Sequence, residues 1–246
     1  MPNYNRIISL VPSLTELLID LGLQEQVAGR TRFCIHPKDE VQKIPIVGGT
    51  KNPRLDKIHD ADPDLIIANK EENRQQDIEM LGDDFEIELT EIETIEDALI
   101  TIHEIGEKLN VAKQADRLIT RIQKRLDERP HTKKLEAVYM IWRDPWMTIG
   151  NDTYIHDVMR HWNLVNVFGD QNRYPTFELD ELKTFNPDLI LLSSEPYPFK
   201  EKHIREVEEA CPSARVLLVE GEWFSWYGSH MEHAFGRLNA WRKAID

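Results

Sequence analysis

The sequence predicts an α/β protein: two Rossmann-like lobes, each with a parallel sheet, joined by a single rigid interdomain helix. Three observations lead to this reading. The segment Asp60-Ala61-Asp62-Pro63-Asp64-Leu65-Ile66-Ile67-Ala68 recurs as Thr184-Phe185-Asn186-Pro187-Asp188-Leu189-Ile190-Leu191-Leu192. In each copy a proline after Asp or Asn marks the end of a helix. The apolar run behind it has the near-continuous hydrophobicity of a parallel strand covered on both faces. Between the copies, Thr94–Glu128 reads as helix throughout, and on either side β and α patterns alternate.

Arg6–Leu10 is the first expected strand. Val11-Pro12-Ser13 follows as a turn, with Ser13 as N-cap and Glu16 at the capping-box spacing. Leu14, Leu17, Leu18 and Leu21 make a helical stripe that Gly22 ends. Val27–Gly29 reads as a strand, and Asn52-Pro53 as the opening of a helix to about Asp60. Leu65–Ala68 is a strand, Glu72–Leu81 a helix closed by Gly82, and Phe85–Leu89 alternates like an edge strand.

From Thr94 the period changes. Ile95, Leu99, Ile102, Ile105 and Leu109 sit at helical spacing. A second helix carries Val111, Ala115, Leu118, Ile119, Ile122 and Leu126 on one face and ends before Arg129-Pro130. A flexible linker would be rich in Gly, Ser or Pro, and this segment is not. It reads as a rigid spine between lobes, the alternative being an ordinary surface helix pair of the first lobe. The expected domains are 1–110, a spine at 111–130, and 131–246. The second lobe restarts with a strand at Leu135–Trp142 and a helix at Thr153–Trp162. Thr176 then caps a helix to Phe185. Leu189–Leu192 is a strand, Phe199–Ala210 a helix, Arg215–Val219 a strand, and Ser229–Lys243 the last helix.

The 246 residues include 41% hydrophobic and 30% charged types, with a formal net charge of -14. That balance argues against a nucleic-acid binder, which needs a basic surface. The acidity serves either solubility or docking onto a basic partner. Cys34 and Cys211 are the only cysteines and no CxxC is present, so no disulfide framework is expected. No apolar run is long enough to span a bilayer. Arg6–Leu10 already reads as a strand, so no signal peptide is expected within this chain. The protein is therefore either cytoplasmic or stripped of its export signal.

In a parallel sheet, ligands bind beyond the carboxyl ends of the strands. Aromatic residues concentrate in the loops on that edge: Phe33 in the first lobe, and Trp142, Trp146, Tyr197, Phe199, Trp223, Phe224, Trp226 and Tyr227 in the second. They suit a flat, partly apolar ligand, or some of them merely cap the core. The sequence has no G-x-S-x-G, Walker A, G-x-G-x-x-G or H-E-x-x-H. Cys34, His36, Glu71, Glu72 and His230 form either a zinc-type or axial-ligand set, or one structural Cys and one hydrogen-bonded His beside a solvated helix start.

Four features then coincide. They are the strand followed by Val11-Pro12-Ser13-Leu14-Thr15-Glu16, Asn52-Pro53-Arg54-Leu55-Asp56-Lys57-Ile58 before Pro63-Asp64-Leu65-Ile66, the helical spine, and the Trp223–Ser229 loop before a final helix. With these the chain resembles the solute-binding proteins of ABC importers for vitamin B12 and ferric siderophores, the class III fold with one interdomain helix. The cobalamin binders are the nearest type. The resemblance implies an interlobe cleft lined by aromatics from both lobes, and with the loop residues read above the expected lining is Phe33, Cys34, His36, Thr50, Glu71, Trp142, Trp146, Trp223, Trp226 and Tyr227. Cys34 stands in the loop where cobalamin binders place a cleft aromatic, Thr50 where they place tryptophan, and Trp146 where they place phenylalanine; Trp223 keeps its tryptophan. Asp56 matches an acid that pairs with permease arginines. Ser225 stands at the second-lobe counterpart, with Glu222 close by to take that role.

The implied function is capture, without catalysis, of a corrinoid or related metal chelate (cobalamin or a ferric chelate) for an ABC permease. The implied location is the periplasm or cell envelope. No cofactor is obligatory, no nucleic acid is involved, and the protein is a monomer. Two alternatives stay open: a siderophore or metal-ion receptor using Cys34, His36 and Glu71, and a cytosolic corrinoid-handling protein or enzyme on the same fold.

Overall fold

Leu65 and Leu189, the apolar starts of the two repeats, each open an inner strand of a separate parallel sheet. The computed structural model describes residues 4–246. In chain order the elements of the first half are β1 (Ile7–Ser9), α1 (Pro12–Asp20), β2 (Val27–Arg30), α2 (Lys38–Val41), α3 (Leu55–Ala61), β3 (Leu65–Asn69), α4 (Gln75–Gly82), β4 (Ile87–Thr90), α5 (Ile95–Lys108) and α6 (Ala112–Asp127). Then come β5 (Leu135–Met140), β6 (Trp146–Met147), α7 (Tyr154–His161), β7 (Leu164–Asn166), β8 (Thr176–Phe177), α8 (Leu182–Phe185), β9 (Leu189–Ser193), α9 (Glu201–Ala210), β10 (Arg215–Val219), α10 (Glu222–Ser225) and α11 (His230–Ile245).

One compact unit holds the residues up to Ile92, Glu96–Gln123 and Tyr227–Glu232; the other holds Glu93–Ile95, Lys124–Trp226 and His233–Asp246. Helix α6 is unbroken and contributes residues to both. Its apolar face buries Ala115, Leu118 and Ile122. No helix among the described residues is long and apolar enough to cross a membrane.

The first sheet runs β2-β1-β3-β4 and the second β10-β9-β5-β7, all pairs parallel. Each therefore places its first strand inside, its second outside it, its third on the other side, and its fourth at the far edge. Strands β3 and β9 are buried at every residue, as strands covered on both faces are. Ile8, Leu10, Ile66, Ala68, Ile78 and Leu81 centre one core. Val138, Met140, Phe168, Ile190, Leu192 and Val207 centre the other.

The repeat has a physical cause. Asp62 and Asn186 end α3 and α8 in the left-handed region, at φ 44° and 45°, a conformation that Asp and Asn tolerate better than most residues. Pro63 and Pro187 then bar any continuation. The following aspartates perform the same task in each unit. Asp64 accepts the backbone N–H groups of Asn5 (2.8 Å) and Arg6 (3.1 Å), just ahead of β1. Asp188 accepts that of Glu136 (2.9 Å) in β5.

Several expected boundaries move. Val11, not Ser13, is the N-cap of α1, because Pro12 at N1 has its φ preset for the helix and no N–H to satisfy; Ser13 is buried inside the helix. Asn52-Pro53 does not open α3; Pro53 pairs with Gly48 across a bridge and the helix starts at Leu55. Helices α4 and α9 start at Gln75 and Glu201, later than Glu72 and Phe199. Thr176 is no helix cap: Thr176–Phe177 pairs antiparallel with Trp146–Met147.

Candidate functional site

The carboxyl edge of the first sheet is shaped by the loop after β2. Arg30, a buried cation, reaches back and donates to the carbonyls of Thr31 (3.0 Å) and Cys34 (3.2 Å). Thr31 Oγ1 accepts the Phe33 N–H at 3.2 Å. The pinned loop turns alternate side chains in and out. Phe33 is 52% exposed, Ile35 is exposed, and Cys34 between them is 1% exposed. Cys34 Sγ lies 3.1 Å from Thr15 Oγ1 and 3.3 Å from Thr31 Oγ1. Burial pushes its thiol above the ordinary range against those hydrogen bonds, so it stays an unreactive thiol. Cys34 is a prop beneath the loop, and the groups facing solvent are Phe33 and Ile35.

His36 is half-buried, its ring 5.7 Å from that of His230. His230 Nδ1 stands 3.1 Å from Glu16 Oε2, and both side chains are largely buried. Among the described residues no group of three or more His, Cys, Asp or Glu side chains is arranged to hold a metal ion. The zinc-type reading of Cys34, His36, Glu71 and His230 therefore lacks the geometry it needs.

Thr50 is buried, and its carbonyl accepts Asn73 Nδ2 at 3.1 Å. Gly49 makes that loop possible: a Cβ there would meet Asn52 Oδ1 at 2.4 Å and the Phe33 ring at 3.2 Å. Glu71 is half-buried; its N–H donates to Asn69 Oδ1 at 2.8 Å, and its carbonyl accepts Lys51 Nζ. Asn69 and Asn73, the bounds of one expected ligand loop but not among the expected lining residues, organise this edge. The available signal was two amides four residues apart, the first of them closing a buried strand.

At the carboxyl edge of the second sheet the aromatic residues form a row. Trp142, 41% exposed, meets Tyr197 edge-on at 5.8 Å. Tyr197 meets Phe199 at 4.7 Å, and Phe199 stacks on Trp146 at 6.1 Å with 5° between planes. The Arg143 guanidinium lies 5.3 Å from the Trp146 ring and is held by Glu206 at 2.8 and 3.2 Å, a cation–π arrangement. Trp223 is half-buried. Trp226 is 8% exposed and Tyr227 is buried, so both lie mainly within the fold.

Glu195 was not foreseen. Its Oε1 accepts Ser225 Oγ at 2.6 Å and Trp226 Nε1 at 3.1 Å. Burial raises its carboxyl pKa above the usual range, and the charges of Glu222 and Glu220 add to this, against the Ser225 and Trp226 hydrogen bonds. Gly221 lets the two loops meet, since a Cβ there would stand 2.4 Å from Glu195 Cγ. Ser225, where an acid was sought, thus binds an acid.

Asp56 is exposed in the first turn of α3 and forks with Arg54 at 2.7 and 2.9 Å, which holds its carboxyl below the usual range. Glu222 is half-buried in the first turn of α10.

Residues 7–211 match the family model described as periplasmic binding protein. A vitamin B12-binding protein of Pectobacterium carotovorum is 23% identical over 235 residues, covering 92% of this chain and 84% of its own. An uncharacterized ABC transporter substrate-binding lipoprotein of Bacillus subtilis is 28% identical over 198 residues, covering 76% and 62%. Among solved structures, the periplasmic vitamin B12-binding protein of Vibrio cholerae superposes with a TM-score of 0.83 at 19% identity, over 98% of this chain and 97% of that one. A periplasmic heme-binding protein in complex with two hemes gives 0.82 at 17% identity over 100% of both chains. At such identities the structural likeness shows the fold.

Proposed function

Because this chain belongs to the periplasmic binding protein family and is a non-catalytic, substrate-binding protein of ABC importers, we propose that its ligand is a corrinoid. The cargo is taken up by loops at a sheet's carboxyl edge and delivered to a permease at the cell envelope by a monomeric receptor. The observation that carries this reading is the pair of exposed aromatic faces on those edges, Phe33 on one sheet and Trp142 on the other. Large aromatic surface left open to water gains most by covering a flat, partly apolar ligand. Trp146 and Trp223, both half-buried, extend the second face, and Thr50, His36 and Glu71 supply polar groups on the first.

Charge favours a corrinoid over a ligand that carries free carboxylates. Glu220 and Glu222 crowd the buried Glu195 with like charge at the second edge, and acids there oppose an anionic chelate or the propionates of a heme. The heme-binding neighbour keeps a ferric porphyrin or siderophore as the second reading, with the half-buried His36 as a candidate imidazole.

The test is titration of the purified protein with cyanocobalamin and, separately, hemin, followed by absorbance and calorimetry. One-to-one cyanocobalamin binding is expected. Hemin binding with none for cyanocobalamin would replace the corrinoid reading by the porphyrin one.

A further inference from the structure

We infer that Asn73 is the positioning residue of the first sheet's binding face: it fastens the loops bearing Thr50 and Glu71 to β1 without touching ligand itself. The inference rests on the ligand reading of those loops. A primary amide offers two N–H donors and one carbonyl acceptor, and Asn73 uses all three on separate pieces of chain. Nδ2 donates to Leu10 O at 3.2 Å, just past β1, and to Thr50 O at 3.1 Å. Oδ1 accepts the Asn69 N–H at 2.9 Å. Asn69 in turn accepts the N–H groups of Glu71 (2.8 Å) and Glu72 (3.3 Å) and donates to Thr90 Oγ1 at 3.0 Å. One side chain thus ties together β1, the 48–52 loop and the start of the Glu71 loop.

The obvious replacements do not fit these partners. Aspartate has no N–H and would aim a charged oxygen at two carbonyls. Serine has one donor. Glutamine carries an extra methylene into a site with three fixed partners. Packing is a weaker restraint, because a cavity of about 450 Å³ lined by Asn69, Asn73, Ile78 and Leu89 adjoins the pair. Buried polar groups hold such loops firmly when every bond is made and lose them when one is missing.

Amide hydrogen exchange tests this on the full chain without any ligand. Gly49 N–H is bonded to Asn52 O and Arg54 N–H to Val47 O, so both report on the 48–52 loop. In Asn73→Asp their exchange should accelerate at least tenfold beyond any change at Ile66 in β3. Asn73→Ser, with one donor, should fall between, and it serves if the aspartate variant does not fold. Thr90→Val removes the Asn69 Nδ2 partner from the far side; it should lower stability without this local acceleration. Cyanocobalamin should bind Asn73→Asp at least tenfold more weakly and Thr90→Val nearly as the parent does. Unchanged exchange at Gly49 and Arg54 in both Asn73 variants, or equal acceleration in Thr90→Val, overturns the role. If the parent binds neither cyanocobalamin nor hemin, the ligand reading falls, and the exchange comparison still decides whether Asn73 sets the loop.

Discussion

Trp226 donates its indole N–H to Glu195 Oε1 at 3.1 Å. Ser225 shares the same acceptor, so one carboxylate oxygen clamps the loop after β10 to the end of β9. Two consequences follow from elementary electrostatics. The indole is held in a fixed orientation, because a partly buried donor keeps its acceptor. The carboxylate is poorly solvated, because burial disfavours its charged form and Glu220 and Glu222 repel it. A structural clamp of this kind is stabilised by its hydrogen bonds and weakened by its own charge.

Glu195→Gln should therefore raise stability at neutral pH. The amide oxygen still accepts from Ser225 and Trp226, and the unfavourable charge is gone. The sign is fixed by linkage: the folded pKa lies above the unfolded value, so the folded state binds more protons between the two and stability falls as pH rises through that window. The melting temperature of the variant should exceed the parent's at pH 7. The gap should close below the unfolded glutamate value of about 4.3. A gap that widens on acidification would contradict it.

Exposure separates two groups of aromatic residues that sequence treats alike. Phe33→Ala and Trp142→Ala remove exposed rings and should change stability by no more than about 0.5 kcal/mol. Each should weaken cyanocobalamin binding by about 1–3 kcal/mol, the scale of one large aromatic contact. Trp226→Ala removes a buried ring and should cost stability by about 3–5 kcal/mol. Calorimetry and urea denaturation read the two quantities separately. Parent-like binding by both Phe33→Ala and Trp142→Ala would move the ligand face elsewhere.

Much of the fold was legible because it is written in local chemistry. Asp62-Pro63 and Asn186-Pro187 end helices through backbone sterics that need no tertiary partner. Leu65–Ala68 and Leu189–Leu192 declare burial on both faces by composition. The two-residue strands Trp146–Met147 and Thr176–Phe177 carry no periodicity, since they are joined only by pairing across the chain. Ser13 looked like a cap until Pro12 claimed N1. In the site, the aromatic loops were visible and their orientation was not. Whether Phe33 or Cys34 faces water is set by Arg30 and Thr31 holding that loop, and whether Asn73 matters is set by Leu10 and Thr50, far away in sequence.

Asp64 and Asp188 offer a test of the repeat itself. Both accept backbone N–H groups at or just ahead of a neighbouring strand from exposed positions. Replacement by Ala should cost about 1 kcal/mol per lost bond at most. Asp64 holds two such groups and Asp188 one, so Asp64→Ala should be the more destabilising in urea denaturation. Equal or reversed costs would mean that the shared motif does not do shared work.

Asp56 leads to a prediction about delivery. Its carboxylate is exposed, forks with Arg54, and lies in the first turn of α3, on none of the loops assigned to the ligand. Asp56→Lys leaves Arg54 and Lys57 beside a new cation. An exposed pair contributes little to stability, so the melting temperature should move only slightly and cyanocobalamin affinity should stay within about twofold, a difference of about 0.4 kcal/mol at 25 °C. If Asp56 steers the loaded protein onto a basic permease surface, the variant should associate more slowly with the reconstituted transporter. The deficit should be large at low salt and fade as screening shortens the reach of the charge. Glu222→Lys should show the same salt-dependent deficit if that acid serves the second unit in place of Ser225. A loss of ligand affinity in Asp56→Lys would assign the residue to capture, and transporter association that ignores both reversals at low salt would remove these two acids from the docking surface.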